Sequence, residues 1–553
     1  MAAFKNRFLV LAVVLLAMIS ATGTANAQLF TCTAFSVPPQ VRSEGVSELT
    51  GDIIAQCTGG TGTVTTNVNL TLNTNMTNNR DFSSGSTITD AVLWVNGSAA
   101  SPAAATAPPT AFAIGTPRYG TRISDTQLQW ADVLIPINGT VRISNVRANA
   151  SQFGESPAFG TQIVGLLNFT GASSVPITNN VLNIATPTNG LSRTYSDAIG
   201  LLQCEELGVD SDGNIVVGTA TATNVFRIRL TEGFGSSFKT LGTASTVPGV
   251  VSQAESGFSV ATQATRLIIR FYNVPAGIRL GSPLSTTADT SFVTGATAVA
   301  TKVVNADANG AGGTLATSNS DITPSGFAGG NVSVVYEVTA ASTGLVERIP
   351  VFITVAFKAD TANDKPTPGT IAVRADFAPL STTSSSNASA PEPRFVEEAS
   401  SSDRATVSRC RSTLLFPFVT NQVGFDTGWV ISNTTKDPLK TKAQAGTCTI
   451  NYFGSTTGGG AAPPADTTTV VTAGTQIFAT VSGGNSAFSI DAALGFQGYI
   501  ITQCEFQFAH GFAFITDGFG GVQAIAEGYL ALVIPTATDN TRPAAGTGEG
   551  LNN

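Results

Sequence analysis

The sequence predicts an all-β protein of several antiparallel β-sandwich domains, immunoglobulin-like in style and stapled by disulfides. Three observations predict it. Apolar and polar residues alternate with a period of two in many short runs. Gly, Pro, Asn and Asp break those runs at short intervals, and no long segment after the N-terminus has helical periodicity. The cysteines number six, an even count.

The elements follow in chain order. Residues 1–27 read as an export signal: Lys5 and Arg7, an apolar run over 8–19, then Ala25-Asn26-Ala27 as the cleavage site. The run is shorter than the roughly 20 residues that span a bilayer. Cleavage would leave Gln28 first rather than a lipid-accepting cysteine. It would remove two positive charges and no negative one, taking the net charge from −8 to −10.

Residues 28–190 form a first β domain and 191–380 a middle β-sandwich. In Val225-Phe226-Arg227-Ile228-Arg229-Leu230, Phe, Ile and Leu share one face and the arginines the other. Leu267, Ile269 and Phe271 alternate with Arg266 and Arg270 in the same way, and Ile349, Val351, Ile353, Val355 and Phe357 make a third such face. Thr186-Pro187-Thr188-Asn189-Gly190 is turn-like. The stretch 102–109, rich in Ala and Pro, reads as a long loop. Residues 381–405, rich in Ser and Pro, read as a linker. Residues 406–535 form a C-terminal β-sandwich, and 536–553 a disordered tail.

All six cysteines lie after the signal. Locality pairs Cys32 with Cys57 and Cys448 with Cys504, which leaves Cys204 with Cys410 among the 15 connectivities open to six cysteines. No C-x-x-C occurs, so neither a zinc site nor a redox pair is expected.

Several strings resemble a group of exported β-rich proteins of soil bacteria, notably acidobacteria, with no assigned activity. They are residues 32–60 (CTAFSVPPQVRSEGVSELTGDIIAQCTGG), 265–280 (TRLIIRFYNVPAGIRL), 415–433 (LFPFVTNQVGFDTGWVISN), 446–452 (GTCTINY) and 495–517 (GFQGYIITQCEFQFAHGFAFITD). The resemblance implies export and a β-rich build. It assigns no catalytic or binding residue.

Composition excludes some functions. An acidic chain with 12% charged residues suits neither nucleic-acid phosphates nor anionic lipid. No later segment has 18 uninterrupted apolar residues, so no membrane insertion follows signal cleavage. His510 is the one histidine. On a strand it shares a face with Cys504, Phe506, Phe508, Phe512 and Phe514, and Gly511 lets the backbone bend there. It reads as a hydrogen-bonded histidine at the end of a core, with ligand contact as the sharper alternative. Val209-Asp210-Ser211-Asp212-Gly213-Asn214-Ile215 has oxygens suited to calcium but lacks a full loop, and Asp212-Gly213 reads as a hairpin turn. The stretch 305–313 (NADANGAGG) reads as a flexible loop. Neighbouring carboxylates Glu205-Glu206 and Glu397-Glu398 point to opposite faces of a strand. Asp426, Asp517 and Glu527 are candidate partners for acid–base work that nothing sequential joins. Trp94, Trp130 and Trp429 are the tryptophans, and Trp429 is a weak candidate for sugar stacking.

No catalytic residue, cofactor or metal is therefore expected. The reading is a secreted or cell-surface, extracellular or periplasmic protein with a non-enzymatic structural or adhesive role. Its partners would be itself, through strand edges, or a surface glycan. A carbohydrate-binding protein is the alternative, and a carboxylate-only glycosidase a lesser one.

Overall fold

Period-two runs become strands because each can bury one face against a partner sheet. A computed structural model describes residues 29–534, apart from 79–86, 97–116, 155–159, 172–174, 205–206, 209–214, 217–221, 243–253, 258–260, 325, 359–365, 398–399, 440, 442 and 518–524. Nearly every described element is a strand. The helical exceptions are two 3-10 turns, Ala150–Phe153 and Ser486–Phe488. The signal, the 102–109 loop, Glu205-Glu206, Asp210 to Asn214, Glu398 and the tail lie outside the described residues. Three large apolar clusters form the cores.

The first core lies inside an 11-stranded sheet. Strand Thr31–Ser36 pairs antiparallel with Ile53–Thr58, placing Cys32 opposite Cys57, and these two are bonded. They are not a simple hairpin: Gln40–Arg42 lies between them in the chain and pairs parallel with Val181–Thr188 elsewhere. The turn-like 186–190 stretch therefore stays extended through Thr188. Pro187 is tolerated because the antiparallel neighbour Ile163–Thr170 reaches only to Ala185.

The second core lies between two facing sheets. Phe226, Ile228 and Leu230 of Val225–Glu232, with Ile349, Val351 and Ile353 of Arg348–Ala356, supply one side. Leu267, Ile269 and Phe271 of Arg266–Val274, with Ile371, Val373 and Phe377 of Gly369–Ala378, supply the other. This is the arrangement the alternating runs predict. The loop 305–313 is fastened to this unit: Arg266 donates to the carbonyls of Gly310 and Gly312, and Arg270 to that of Ala308.

Residues 381–405, expected as a linker, are packed. Glu392, Arg394 and Phe395 are buried, and Ser402–Ser408 is a strand of the middle unit, paired with Gly369–Ala378 and Ile199–Leu202. Phe395 stacks on Phe377 in the core, and the charged groups buried beside it are paired. Arg42 of the first unit donates to Glu48 and makes a bidentate pair with Glu255 (2.7 and 3.1 Å) of the middle unit. Its guanidinium lies 4.7 Å over the ring of Phe395. Arg147 donates to the carbonyl of Glu255 and sits 3.5 Å from the Glu392 carboxylate. Arg394 donates to the carbonyls of Thr77, Thr383 and Ser385. Burial alone would push Arg42 down, but Glu255 and Glu48 outweigh it and hold the guanidinium charged. Burial likewise works against the Glu255 carboxylate, and Arg42 and Lys239 overcome it. Arg394 is pushed down to about 10 by burial. Four stretches far apart in the chain, at 42–48, 147, 255 and 392–395, thus meet at one dry ionic joint.

The third core lies between a six-stranded and a four-stranded sheet. In the six-stranded sheet Cys448–Thr456 pairs with Phe496–Cys504, and Cys448 bonds its register partner Cys504. Cys204–Cys410 is the third bridge; Cys410 follows the last strand of the middle unit, and the Sγ of Cys204 lies 3.5 Å from Oε1 of Gln507 in the C-terminal unit. No cysteine is free.

Candidate functional site

The four-stranded sheet of the C-terminal unit runs in the order Gln476–Thr480, Asp426–Asn433, Ala509–Thr516, Ala526–Leu530. Its inner face carries Ile477, Ala479, Trp429, Ile431 and Ala513 into the core. Its outer face carries the other parity, and there the register lines up whole rows. Phe478 and Phe512 both sit opposite Val430, and Leu530 sits opposite Phe512. Phe478 is 58% exposed, Phe512 40% and Leu530 67%. Four apolar side chains on four strands therefore form one stripe facing solvent.

Glycines shape that stripe. A Cβ on Gly528 would lie 2.5 Å from the Phe512 ring, and one on Gly428 would lie 2.7 Å from the Phe514 ring. Each ring leans across the neighbouring strand into space a side chain would fill. Phe488 extends the stripe, meeting Phe478 edge to face at 5.5 Å. A polar row runs beside it. Gln476 and His510 both sit opposite Ser432, and Gln476 donates to the Ser432 hydroxyl at 3.0 Å. These rows contain no carboxylate, lysine or arginine.

The opposite sheet has an exposed aromatic pair of its own. Phe453 and Tyr499 are register partners, their rings stacked at 5.0 Å and 13°. Twelve of the twenty-two exposed large hydrophobics among the described residues fall in residues 418–534. Contiguous exposed apolar surface marks a place of contact, whereas single exposed residues do not.

The sequence candidates fall as follows. His510 is not in a row with Cys504, Phe506 and Phe508. One strand ends at Cys504 and the next begins at Ala509, with Phe508 turned to φ 55° between them. Phe506 and Phe508 are buried, whereas His510 lies half-buried on the outer face beside Phe512. Gly511 does not bend the strand there. It makes room in the core, since a Cβ would meet Phe416 at 2.7 Å and Ala531 at 2.8 Å. Trp429 is not available to a ligand: it is 3% exposed and packs against Phe416. Trp94 and Trp130 are buried as well.

The acidic candidates do not converge. Asp426 accepts from Ser482 and Asn421, and Asp517 accepts from the amide of Ile525. Asp426 sits opposite Thr516, and Glu527 opposite Ile515, whose side chains belong to the opposite parity. Glu397 pairs with Arg270 and Arg374. Asp307 in the 305–313 loop accepts from the amides of Asn309 and Ala311. It borders a shallow cavity of about 330 Å³ lined also by Thr382, Asn387 and Ser389. Among the described residues no group of three or more His, Cys, Asp or Glu could hold a metal ion. No described helix is long and apolar enough to cross a membrane.

No family model matches the chain, and no curated protein matches it. Among solved structures it is similar to the CupB6 tip adhesin from Pseudomonas aeruginosa, at 8% identity and a TM-score of 0.14 over 69% of this chain and 100% of that one. It is also similar to a marsupial T cell receptor, at 7% identity and a TM-score of 0.15 over 90% of this chain and 98% of that one.

Proposed function

We propose that this is a secreted or cell-surface, non-enzymatic protein with a structural or adhesive role, in which the outer sheet faces of the C-terminal unit make the contact. The Phe478–Val430–Phe512–Leu530 stripe carries this reading. Exposing such a stripe costs solubility and gives the fold nothing in return, since the core lies on the other side of the sheet. The three disulfides fit an oxidising compartment. The buried ionic joint between the first two units suits a body that must hold its shape while one end is loaded.

Retention on surfaces tests it. Full-length protein is passed over alkyl-coated and polysaccharide-coated sensor chips and washed. The wild type is expected to stay on at least one of them. Phe478→Ser with Phe512→Ser is expected to lower the retained mass severalfold without changing the melting temperature. A wild type that washes off every chip, or a double variant retained equally, refutes the reading.

A further inference from the structure

The place of one disulfide in the strand order decides what tension on this chain can reach. Ile199–Leu202 runs parallel to Ser402–Ser408, with Leu202 opposite Ser408. Parallel neighbours end at the same side of a sheet, so the chains stay together beyond them. The Gln203 amide donates to the Ser408 carbonyl, and the next pair outward is Cys204 and Cys410, bonded to each other. The bridge closes a loop of 206 positions. Val225–Glu232, Arg266–Val274, Arg348–Ala356, Gly369–Ala378 and Ser402–Ser408 all lie inside that loop. Among the described residues buried in the middle core, all but Leu191 and Leu201 lie inside it as well.

The strands of the sandwich that precede the loop are both edges. Leu191–Tyr195 is at the rim of one sheet, paired with Val225–Glu232, and Ile199–Leu202 is at the rim of the other. Residues 191–204 therefore form a strap along one side of the sandwich. The first unit grips its upstream end. Glu44 accepts from the amides of Gly190 and Leu191, at 2.9 and 3.0 Å, and Thr186 to Thr188 pair with Gln40–Arg42. The downstream end passes through the bridge to Cys410, and Ser412–Thr420 of the C-terminal unit starts just beyond. Arg409 and Arg411 flank the bridge and both reach Glu505, at 3.6 and 3.1 Å. Ser412 sits opposite Cys504, which is bonded to Cys448. Each end of the strap is thus anchored in a neighbouring unit.

We infer that the Cys204–Cys410 bridge is a load bypass: tension between the first and C-terminal units is carried by residues 191–204 and the bridge, and the strands between 205 and 409 stay off the covalent load path. The ionic joint around Arg42 shares the load while it holds, because Glu255 and Glu392 lie inside the loop. When it parts, the strap extends to at most about 45 Å before the bridge is taut, and the strands inside the loop keep one another as partners. Without the bridge, the same tension would enter at the end of Ser402–Ser408. That strand lies between Ile199–Leu202 and Gly369–Ala378, so the sandwich would be pulled apart from within. The bypass is a property of the chain; its use in holding a contact under load rests on the adhesive reading above.

Single-molecule pulling of the full oxidised chain, tethered by its two ends, tests this. Each bridge hides a distinct length. Opening the 206, 56 and 25 positions closed by Cys204–Cys410, Cys448–Cys504 and Cys32–Cys57 releases about 700, 190 and 85 Å. The wild type is expected to unfold without the largest of these gains, and to show it only after dithiothreitol is added under load. A reagent thiolate then attacks one sulfur, and the second reagent thiol clears the mixed disulfide. The products are two cysteine thiols and the cyclic disulfide of the reagent. Cys204→Ser with Cys410→Ser is expected to show the largest gain without reductant, no later than the first unit unfolds. The reductant arm uses wild-type protein already folded with its bridges, so it decides the matter if the double variant misfolds. The largest gain in oxidised wild type overturns the inference. So does a middle unit that outlasts the first one in the double variant or the reduced wild type, since that sandwich needs no bypass. No surface is touched in this experiment, so the retention assay decides the adhesive reading separately.

Discussion

Arg42→Met removes the cation at the centre of the joint between the first and middle units. The new side chain keeps much of the volume and can still lie on Phe395, which the guanidinium now covers at 4.7 Å. What it cannot do is compensate Glu48 and Glu255, which are 0% and 2% exposed. Lys239 remains as a cation that acts on Glu255, and burial already holds it below its ordinary value. Breaking a buried ion pair from one side costs about 3–5 kcal/mol, because a bare carboxylate is left in a dry site. That is a large part of the roughly 5–15 kcal/mol that holds a domain together. At about 2–4 °C per kcal/mol for units of this size, the calorimetric transition of the first two units should fall by about 6–20 °C at neutral pH. The transition of the C-terminal unit, whose core is separate, should not move. Adding Glu48→Gln and Glu255→Gln to Arg42→Met should restore part of the loss: the uncompensated carboxylates go, while the buried Lys239 loses the two anions that favour its charge. A drop of less than about 2 °C in Arg42→Met, or a triple variant no better than the single one, would refute the ionic account of the joint.

Three further outcomes follow from the same geometry. Glu232 is 2% exposed, and burial pushes its carboxyl up to about 7 despite amides donated by Phe238 and Glu347. Between 4.5 and about 7 the folded protein thus binds more protons at this site than the unfolded chain, so stability falls as pH rises through that window, by up to about 3 kcal/mol; urea melts across pH 4.5–8 should show the slope in the wild type and a flatter one in Glu232→Gln. Cys204→Ser with Cys410→Ser opens a loop of 206 residues and should cost about 5 kcal/mol in chain entropy, read as a lower denaturation midpoint; an unchanged midpoint would show that the bridge constrains nothing. Gly511→Ala should cost about 1–3 kcal/mol by overpacking against Phe416 and Ala531, and a neutral effect in denaturant would show that the core there is loose.

The middle sandwich was legible because its strands put apolar residues on one face only. Phe226, Ile228 and Leu230 face the core, and Arg227 and Arg229 do not. Two of the three bridges join the pairs that locality singled out, and the third joins the two cysteines left over. The contact face was hidden for the opposite reason. Along Ala509–Thr516 both parities are apolar, one small (Ala509, Gly511, Ala513) and one bulky (Phe512, Phe514). Alternation says nothing about which faces inward. The small parity goes in because Trp429 and Phe416 already fill the space behind it. The break at 505–508 adds to the difficulty: it contains no Gly, Pro, Asn or Asp, so Cys504 through Phe514 reads as one strand and places His510 in a row it does not join. A pattern of small residues alternating with phenylalanine was the one available signal. The ionic joint left no local trace. Arg42 and Glu255 are 213 positions apart, and charge in a sequence ordinarily predicts exposure.

Hydroxyl-radical footprinting of the surface-bound protein bears most directly on where contact occurs. Protection should appear at Phe478, Phe512 and Leu530, with Phe292 and Val181 on the other units labelled as in free solution. Labelling of those three residues that is unchanged on binding, with protection confined to the first or middle unit, would contradict the assignment of contact to the C-terminal sheet.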